Sequence, residues 1–238
     1  MRRRFFVERF EGGTARLEGA AAHHLGRVLR AGPGQVYELS DGRAVWLARI
    51  ERVRRGAVEF ALLEPVAARE PALRATLLLS IIKFGRFEWC LEKAAELGIA
   101  EILPLAAARS EKALVAAAGK RMARWERILW EAAQQARLLR PPRLAPVARS
   151  PGAFAHAGHA LCILLSERQE APPLRTVLAG QRTRDVALAI GPEGGWTDKE
   201  FEAARAANWQ EASLGQTILR TETAVIATLA ILHYALPE

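Results

Sequence analysis

The stretch that most constrains this chain is Asp185-Val-Ala-Leu-Ala-Ile-Gly-Pro-Glu-Gly-Gly-Trp-Thr-Asp-Lys-Glu200. Val186 to Ile190 is a continuous apolar run, which suits a strand covered on both faces. Gly191, Gly194 and Gly195 then allow a turn that residues carrying a Cβ resist. Thr197 and Glu200 have the spacing of a capping box, so a helix is expected to start at Thr197. The segment Ser213-Leu-Gly-Gln-Thr-Ile-Leu-Arg-Thr-Glu-Thr-Ala224 repeats the plan. A short apolar piece leads to a loop at Gly215, a cap at Thr221 or Thr223 and an apolar helix. Two loops at the ends of neighbouring strands form the kind of crevice in which open α/β sheets hold ligands.

The rest of the chain divides around a charged, proline-bearing linker, Glu64-Pro65 to Glu70-Pro71. Before it, residues 1–67 read as a small β-barrel domain. Strands are expected at Phe5–Val7, Thr14–Leu17, Val36–Leu39, Ala44–Arg52 and Ala57–Leu63, with a hairpin signal at Asp41-Gly42. A short helix, Ala21–Arg30, would place Leu25, Val28 and Leu29 on one face. After the linker, residues 72–238 alternate strand and helix, which implies α/β architecture with a parallel sheet covered on both sides. Strands are expected at Leu77–Ile82, Ile99–Leu103, Leu161–Leu165, Val186–Ile190 and Ala212–Leu214. Helices are expected around Phe87–Ala95, closed by Gly98, and at Arg121–Leu139, Leu174–Leu178, from Thr197, and Thr221–Leu236.

The formal charge is +8, and nearly all of the positive charge is arginine. Such a surface attracts a polyanion, nucleic acid above all, and arginine's planar fork suits phosphate and stacked bases. A basic, GC-rich proteome would leave the same bias. No apolar run is long enough to cross a bilayer, and the basic N-terminus is not followed by a signal-peptide core. A soluble cytoplasmic protein with no membrane partner is the expectation. Cys90 and Cys162 lie in apolar stretches and read as buried thiols, and the five histidines lack metal-ligand spacing, so no metal site is expected.

Gly191–Gly195 lacks the Gly-Lys-Ser/Thr ending of a phosphate loop and the spacing of a dinucleotide fingerprint. It offers backbone N–H and C=O edges around one carboxylate, Glu193. That suits an adenine ring or an amino-acid moiety, or simply a bare strand-to-helix turn. Leu214, Ile218 and Leu219 are apolar side chains in or beside a turn, as an apolar slot for a flat ring would require. Arg220 and Glu222 follow at a helix start, where the dipole favours the carboxylate.

Gly-Pro-Glu-Gly-Gly followed by Leu-Gly-x-x-Ile-Leu-Arg-Thr-Glu-Thr-Ala resembles the trefoil-knot SPOUT superfamily, and more narrowly the bacterial 16S ribosomal RNA uridine N3-methyltransferases. Arg4-Phe-Phe-Val7, His24-Leu-Gly-Arg-Val-Leu-Arg30, Lys83-Phe-Gly-Arg-Phe-Glu-Trp-Cys-Leu-Glu-Lys-Ala-Ala-Glu-Leu-Gly98 and Arg109-Ser110 resemble further family segments, in the same order. Gln134-Gln-Ala-Arg-Leu-Leu-Arg140 departs from the family's Glu-Gln pattern, so Arg137 and Arg140 are assigned no RNA role, and Gln216 stands where arginine or a similar residue is common.

The resemblance implies a PUA-like RNA-binding barrel, a deep C-terminal trefoil knot and a homodimer. It implies S-adenosyl-L-methionine held by Leu165, Ser166, Ile190, Gly191, Gly195, Leu214, Gly215, Ile218, Leu219 and Arg220. The implied substrate is a uridine of 16S rRNA, in the 30S subunit. Uracil N3 is mostly protonated at neutral pH, so Glu193 or Glu222 is a candidate base and Arg220 a candidate stabiliser of the anion. Arg2, Arg3, Arg4, Arg27 and Arg30 are candidates for RNA phosphate contacts. Two alternatives stay open: a SPOUT methyltransferase acting on tRNA or a ribose 2′-hydroxyl, and a non-catalytic RNA-binding assembly factor.

Overall fold

The computed structural model describes residues 3–68, 70–156 and 158–236, without the side chain of His156. Met1, Arg2, Arg69, Ala157, Pro237 and Glu238 lie outside the described residues, and with them the sequence expectation for Arg2. The chain forms two compact units, Met1–Glu70 with Ala133–Pro141, and Pro71–Ala132 with Pro142–Glu238.

The first unit is a six-stranded sheet of β1 (Arg4–Phe6), β2 (Phe10–Glu11), β3 (Thr14–Glu18), β4 (Val36–Ser40), β5 (Val45–Arg54) and β6 (Ala57–Val66), in the order β1-β4-β5-β6-β3-β2. Along β3 burial alternates with a period of two, with Ala15 and Leu17 inward, as the pleat requires. Phe5, Leu17, Leu25, Leu39, Ile50, Val58 and Phe60 form the core. The linker begins later than the prolines suggest, because β6 keeps pairing with β5 as far as Val66 across a register shift at Leu47/Ala48.

The helix expected over Ala21–Arg30 is a short α1 (Gly19–His23) followed by a π-turn, His24–Val28. The wider π-turn rotates the face: Leu25 is buried, but Val28 points outward, against expectation. Arg4 is also corrected. It is buried, not on an RNA-facing surface. Its guanidinium pairs with Glu38 at 2.9 Å and donates to the backbone carbonyls of Arg137 and Leu138. Ser40 Oγ likewise donates to Leu139 O, at 2.5 Å.

The second unit contains, in chain order, β7 (Arg74–Ser80), α2 (Phe84–Glu96), β8 (Glu101–Ala106), α3 (Lys112–Ala118) and α4 (Met122–Gln135, whose last residues belong to the first unit). It continues with β9 (Arg143–Leu144), β10 (Ala148–Arg149), β11 (Leu161–Leu165), α5 (Leu174–Leu178), β12 (Asp185–Ile190), α6 (Asp198–Ala206), β13 (Gln210–Ala212) and α7 (Thr221–Ala235). The helix expected to reach Leu139 stops at Gln135. Arg137 turns left-handed at φ 56°, and Leu138 N–H reaches back to Ala133 O while Arg137 N–H reaches Gln134 O. These two bonds are a Schellman cap, with arginine where glycine is usual.

All strand pairs in the second unit are parallel, in the order β10-β8-β7-β12-β11-β13, with β9 beside β8. The apolar run of β12 is explained by two cores. Val186, Leu188 and Ile190 face Leu77, Leu79, Phe87, Ile163 and Leu229. Ala187 and Ala189 face Leu164, Trp196, Phe201 and Trp209, small residues leaving room for large ones. No helix among the described residues is long and apolar enough to cross a membrane.

Candidate active site

β11, β12 and β13 run parallel in register, pairing Leu164 with Ala189 and Leu165 with Ala212. Their C-terminal ends therefore deliver Leu165–Ser166, Ile190–Gly191 and Ser213–Leu214 to one edge of the sheet, as expected of a crevice at strand ends. The loops are tied to one another. Ser166 N–H donates to Ala212 O at 2.9 Å, and buried Trp196 Nε1 donates to Leu165 O at 2.8 Å. Thr221 Oγ1 donates to Gly191 O at 3.1 Å. Thr221 is thus spent on the glycine loop, and the cap position of α7 falls on Arg220, which has no capping side chain, instead of on Thr221 or Thr223.

Within the glycine loop, Gly195 N–H closes a turn onto Pro192 O at 2.8 Å. Gly195 has φ 68°, and a Cβ there would run into the Glu167 carboxylate. At Gly191 a Cβ would sit 3.1 Å from the Trp196 ring. Gly195 is thus reserved for bare backbone by its conformation, and Gly191 is packed tightly against the indole. Gly215, in the other loop, has φ 129° and open space where its Cβ would be.

The capping box at Thr197 and Glu200 is complete. Glu200 does more than cap. Only 1% exposed, it accepts from Thr197 N–H and Oγ1, from Ala108 N–H at 2.9 Å, and from Ser150 Oγ. Burial pushes its carboxyl pKa up, but these hydrogen bonds outweigh burial and leave it below the ordinary value. One buried carboxylate therefore joins the glycine loop's exit to the loop after β8. That loop carries Arg109, whose Nη1 donates to Gly194 O at 2.8 Å.

The two candidate carboxylates converge on a residue the sequence did not single out. Arg86, in the first turn of α2, donates to Glu193 Oε1 at 3.3 Å and lies 3.8 Å from Glu222 Oε1. Glu222 Oε2 is buried without a hydrogen-bond partner. One signal for Arg86 was legible: a helix N-terminus prefers acids, and the first turn of α2 has none. Arg220 is exposed, Leu214 and Leu219 pack half-buried against the core, and Ile218 is 82% exposed. Arg3, Arg27 and Arg30 are exposed on the first unit.

Beside the glycine loop lies a cavity of about 360 Å³, lined among others by Ile81, Ile82, Arg86, Ser110, Leu114 and Glu193. Cys90 is buried and inert: burial pushes its thiol up to about 12.

Residues 69–233 match the RNA methyltransferase domain family, and residues 17–63 match the RNA methyltransferase PUA domain. The chain belongs to this RNA methyltransferase family. A Synechocystis protein named ribosomal RNA small subunit methyltransferase E is 36% identical over 222 residues, covering 91% of this chain and 72% of that protein. A Legionella pneumophila methyltransferase solved with bound SAM superposes with a TM-score of 0.90 at 30% identity, covering 100% of this chain and 99% of that one. The Neisseria gonorrhoeae ribosomal RNA small subunit methyltransferase E, solved with S-adenosyl methionine, gives 0.86 at 28% identity and 98% coverage of both chains.

Proposed function

We propose that this protein methylates N3 of a uridine in the 16S rRNA of the 30S subunit, using S-adenosyl-L-methionine. The observation that carries the reading is the three-loop crevice at the ends of β11, β12 and β13, in a fold that matches cofactor-bound relatives over its full length. Backbone bared at Gly191 and Gly195, together with apolar Leu214, Ile218 and Leu219, fits a cofactor with one flat ring and one amino-acid end. Leu165, Ser166, Ile190, Gly191, Gly195, Leu214, Gly215, Ile218, Leu219 and Arg220 would hold it, in a C-terminal segment we propose to be a trefoil knot.

The cofactor supplies an electrophilic methyl group on a sulfonium. The protein must align the acceptor nitrogen and favour loss of its proton. Glu193 or Glu222 serves as the base, and Arg220 balances charge on the uracil oxygens. N3 is hidden in a Watson–Crick pair, so the target is unpaired or flipped out. We further propose that residues 1–67 bind RNA with Arg3, Arg27 and Arg30 on phosphates, that 72–238 carry catalysis, and that the protein works in the cytoplasm.

A homodimer is part of the proposal. Ile218, Trp89, Ile231 and Tyr234 are exposed apolar side chains on the second unit, with Tyr234 93% exposed. Surfaces of this kind mark contacts with a partner, and light scattering is expected to give twice the chain mass. Methylation of 30S subunits from a strain lacking the enzyme, followed by nucleoside mapping, tests the central claim. N3-methyluridine is expected, and a 2′-O-methyl product would overturn it.

A further inference from the structure

The glycine loop has two sides. On one, the space that a Cβ of Gly191 or Gly195 would take is already filled by Trp196 and Glu167. On the other, Pro192, Glu193 and Gly194 form a wall of the 360 Å³ cavity. The rest of the lining is Ile81–Lys83 and Arg86, after β7, and Arg109–Glu111 with Leu114, after β8. An acceptor in this cavity would lie beside the same loop as a methyl donor held at the strand ends, and direct displacement needs acceptor nitrogen, methyl carbon and sulfur in line with nothing between them.

The volume falls at the low end for ligand pockets, about 300–1,000 Å³. Ile81, Ile82, Leu114 and Pro192 can sandwich a flat ring. Ser110 is only 8% exposed, and its Oγ has no hydrogen-bond partner. Nothing holds that hydroxyl, so a χ1 rotation can offer it to a ligand, and a buried polar group without a partner is costly unless something satisfies it. Lys83, Arg86 and Arg109 outnumber Glu111 and Glu193 on the lining, and the N-terminus of the 13-residue α2 adjoins the cavity. All of these favour an anionic form of the ligand.

We propose that this cavity is the acceptor pocket: it takes the target uracil, with Ser110 hydrogen-bonding the base and Arg86 favouring its imide anion. The inference rests on the uridine-methyltransferase reading above, and it ranks the two carboxylates. Glu193 lines the cavity and Glu222 does not, so Glu193 takes the N3 proton while Glu222 positions Arg86. As the proton passes to Glu193, N3 forms its bond to the methyl carbon. The carbon–sulfur bond breaks with its electron pair staying on sulfur, and Glu193 then releases the proton to water.

The test uses the full chain, S-adenosylmethionine and unmethylated 30S subunits. Leu114→Trp, which fills the cavity, is expected to lower kcat/KM about 100-fold. Ser110→Ala should lower it about 10-fold, the scale of one buried hydrogen bond. Cofactor Kd and subunit Kd should stay within about 3-fold of wild type in both variants, a difference small enough to exclude loss of a direct contact. Equal loss of cofactor affinity would assign the cavity to the donor side, and equal loss of subunit affinity would make it an RNA-backbone contact. Either result overturns the inference, as does full activity of Leu114→Trp. If the wild type methylates a different base, the uridine reading fails, and the pocket stands only if Leu114→Trp abolishes that activity too.

Discussion

Two of the three loops that form the crevice are built differently. Gly191–Gly195 is fastened on both sides: Trp196 holds Leu165 O, Thr221 holds Gly191 O, and Arg109 holds Gly194 O. Gly215–Ile218 is exposed throughout, and open space surrounds Gly215. The first is a preorganised wall whose geometry is set before any ligand arrives. The second depends on something else to cover Ile218, a cofactor ring or a second copy of the chain. The lesson is that glycine serves two purposes here, close approach in one loop and freedom of direction in the other.

The strongest way to break this contrast is Gly195→Val. A β-branched side chain at φ 68° against Glu167 should raise the cofactor Kd by about 100-fold or more. Calorimetry reads the loss, and RNA affinity should stay within about 2-fold because the first unit is untouched. Equal loss of both would mean that the loop is only structural.

Glu200→Gln attacks the fastening itself. It should cost about 2–3 kcal/mol in urea unfolding at neutral pH, because a buried carboxylate loses charged hydrogen bonds. The folded carboxyl pKa is depressed, so its contribution is complete above the ordinary carboxylate range and fades as pH falls through the lowered value. Wild type and variant should therefore converge in stability on acidification. A gap that widens in acid would refute the assignment.

Arg86→Met should lower kcat about 10-fold, with the cofactor Kd unchanged, and move the rising limb of the rate profile to higher pH as the imide loses its cation. An unmoved limb would leave Arg86 a merely structural bridge. The smallest effect on stability is expected of Ile218→Ser, within about 0.5 kcal/mol for so exposed a side chain. Its cofactor affinity or its dimer mass should fall nonetheless. If neither changes, the open loop is not covered by either partner.

Much of the site was legible residue by residue. Val186–Ile190 declared a strand buried on both faces, and the Thr197–Glu200 spacing declared the cap, because both signals lie within a few positions of each other. The glycines and the Leu-Arg-Thr-Glu-Thr run carried the family resemblance for the same reason. Errors fell where local preference met distant packing. Arg4 looked like a phosphate ligand until Glu38 and the Arg137 and Leu138 carbonyls enclosed it. The helix expected to reach Leu139 ended early because Arg137 adopts an uncommon left-handed turn.

The sequence by itself determined the alternation of strand and helix, the two glycine-bearing loops after the C-terminal strands and the excess of arginine. Only the tertiary structure decided that Arg86 meets Glu193, more than a hundred positions away, and that Glu200 joins Ala108 and Ser150. The same holds for the cavity flanked by Ser110 and Leu114. The physical reason is the parallel register of β8, β7 and β12, which brings the C-terminal ends of strands far apart in the chain to one edge. Periodicity and spacing report what a residue does within its own element. Which elements become neighbours is set by the sheet's order, and that order is a property of the whole packed chain.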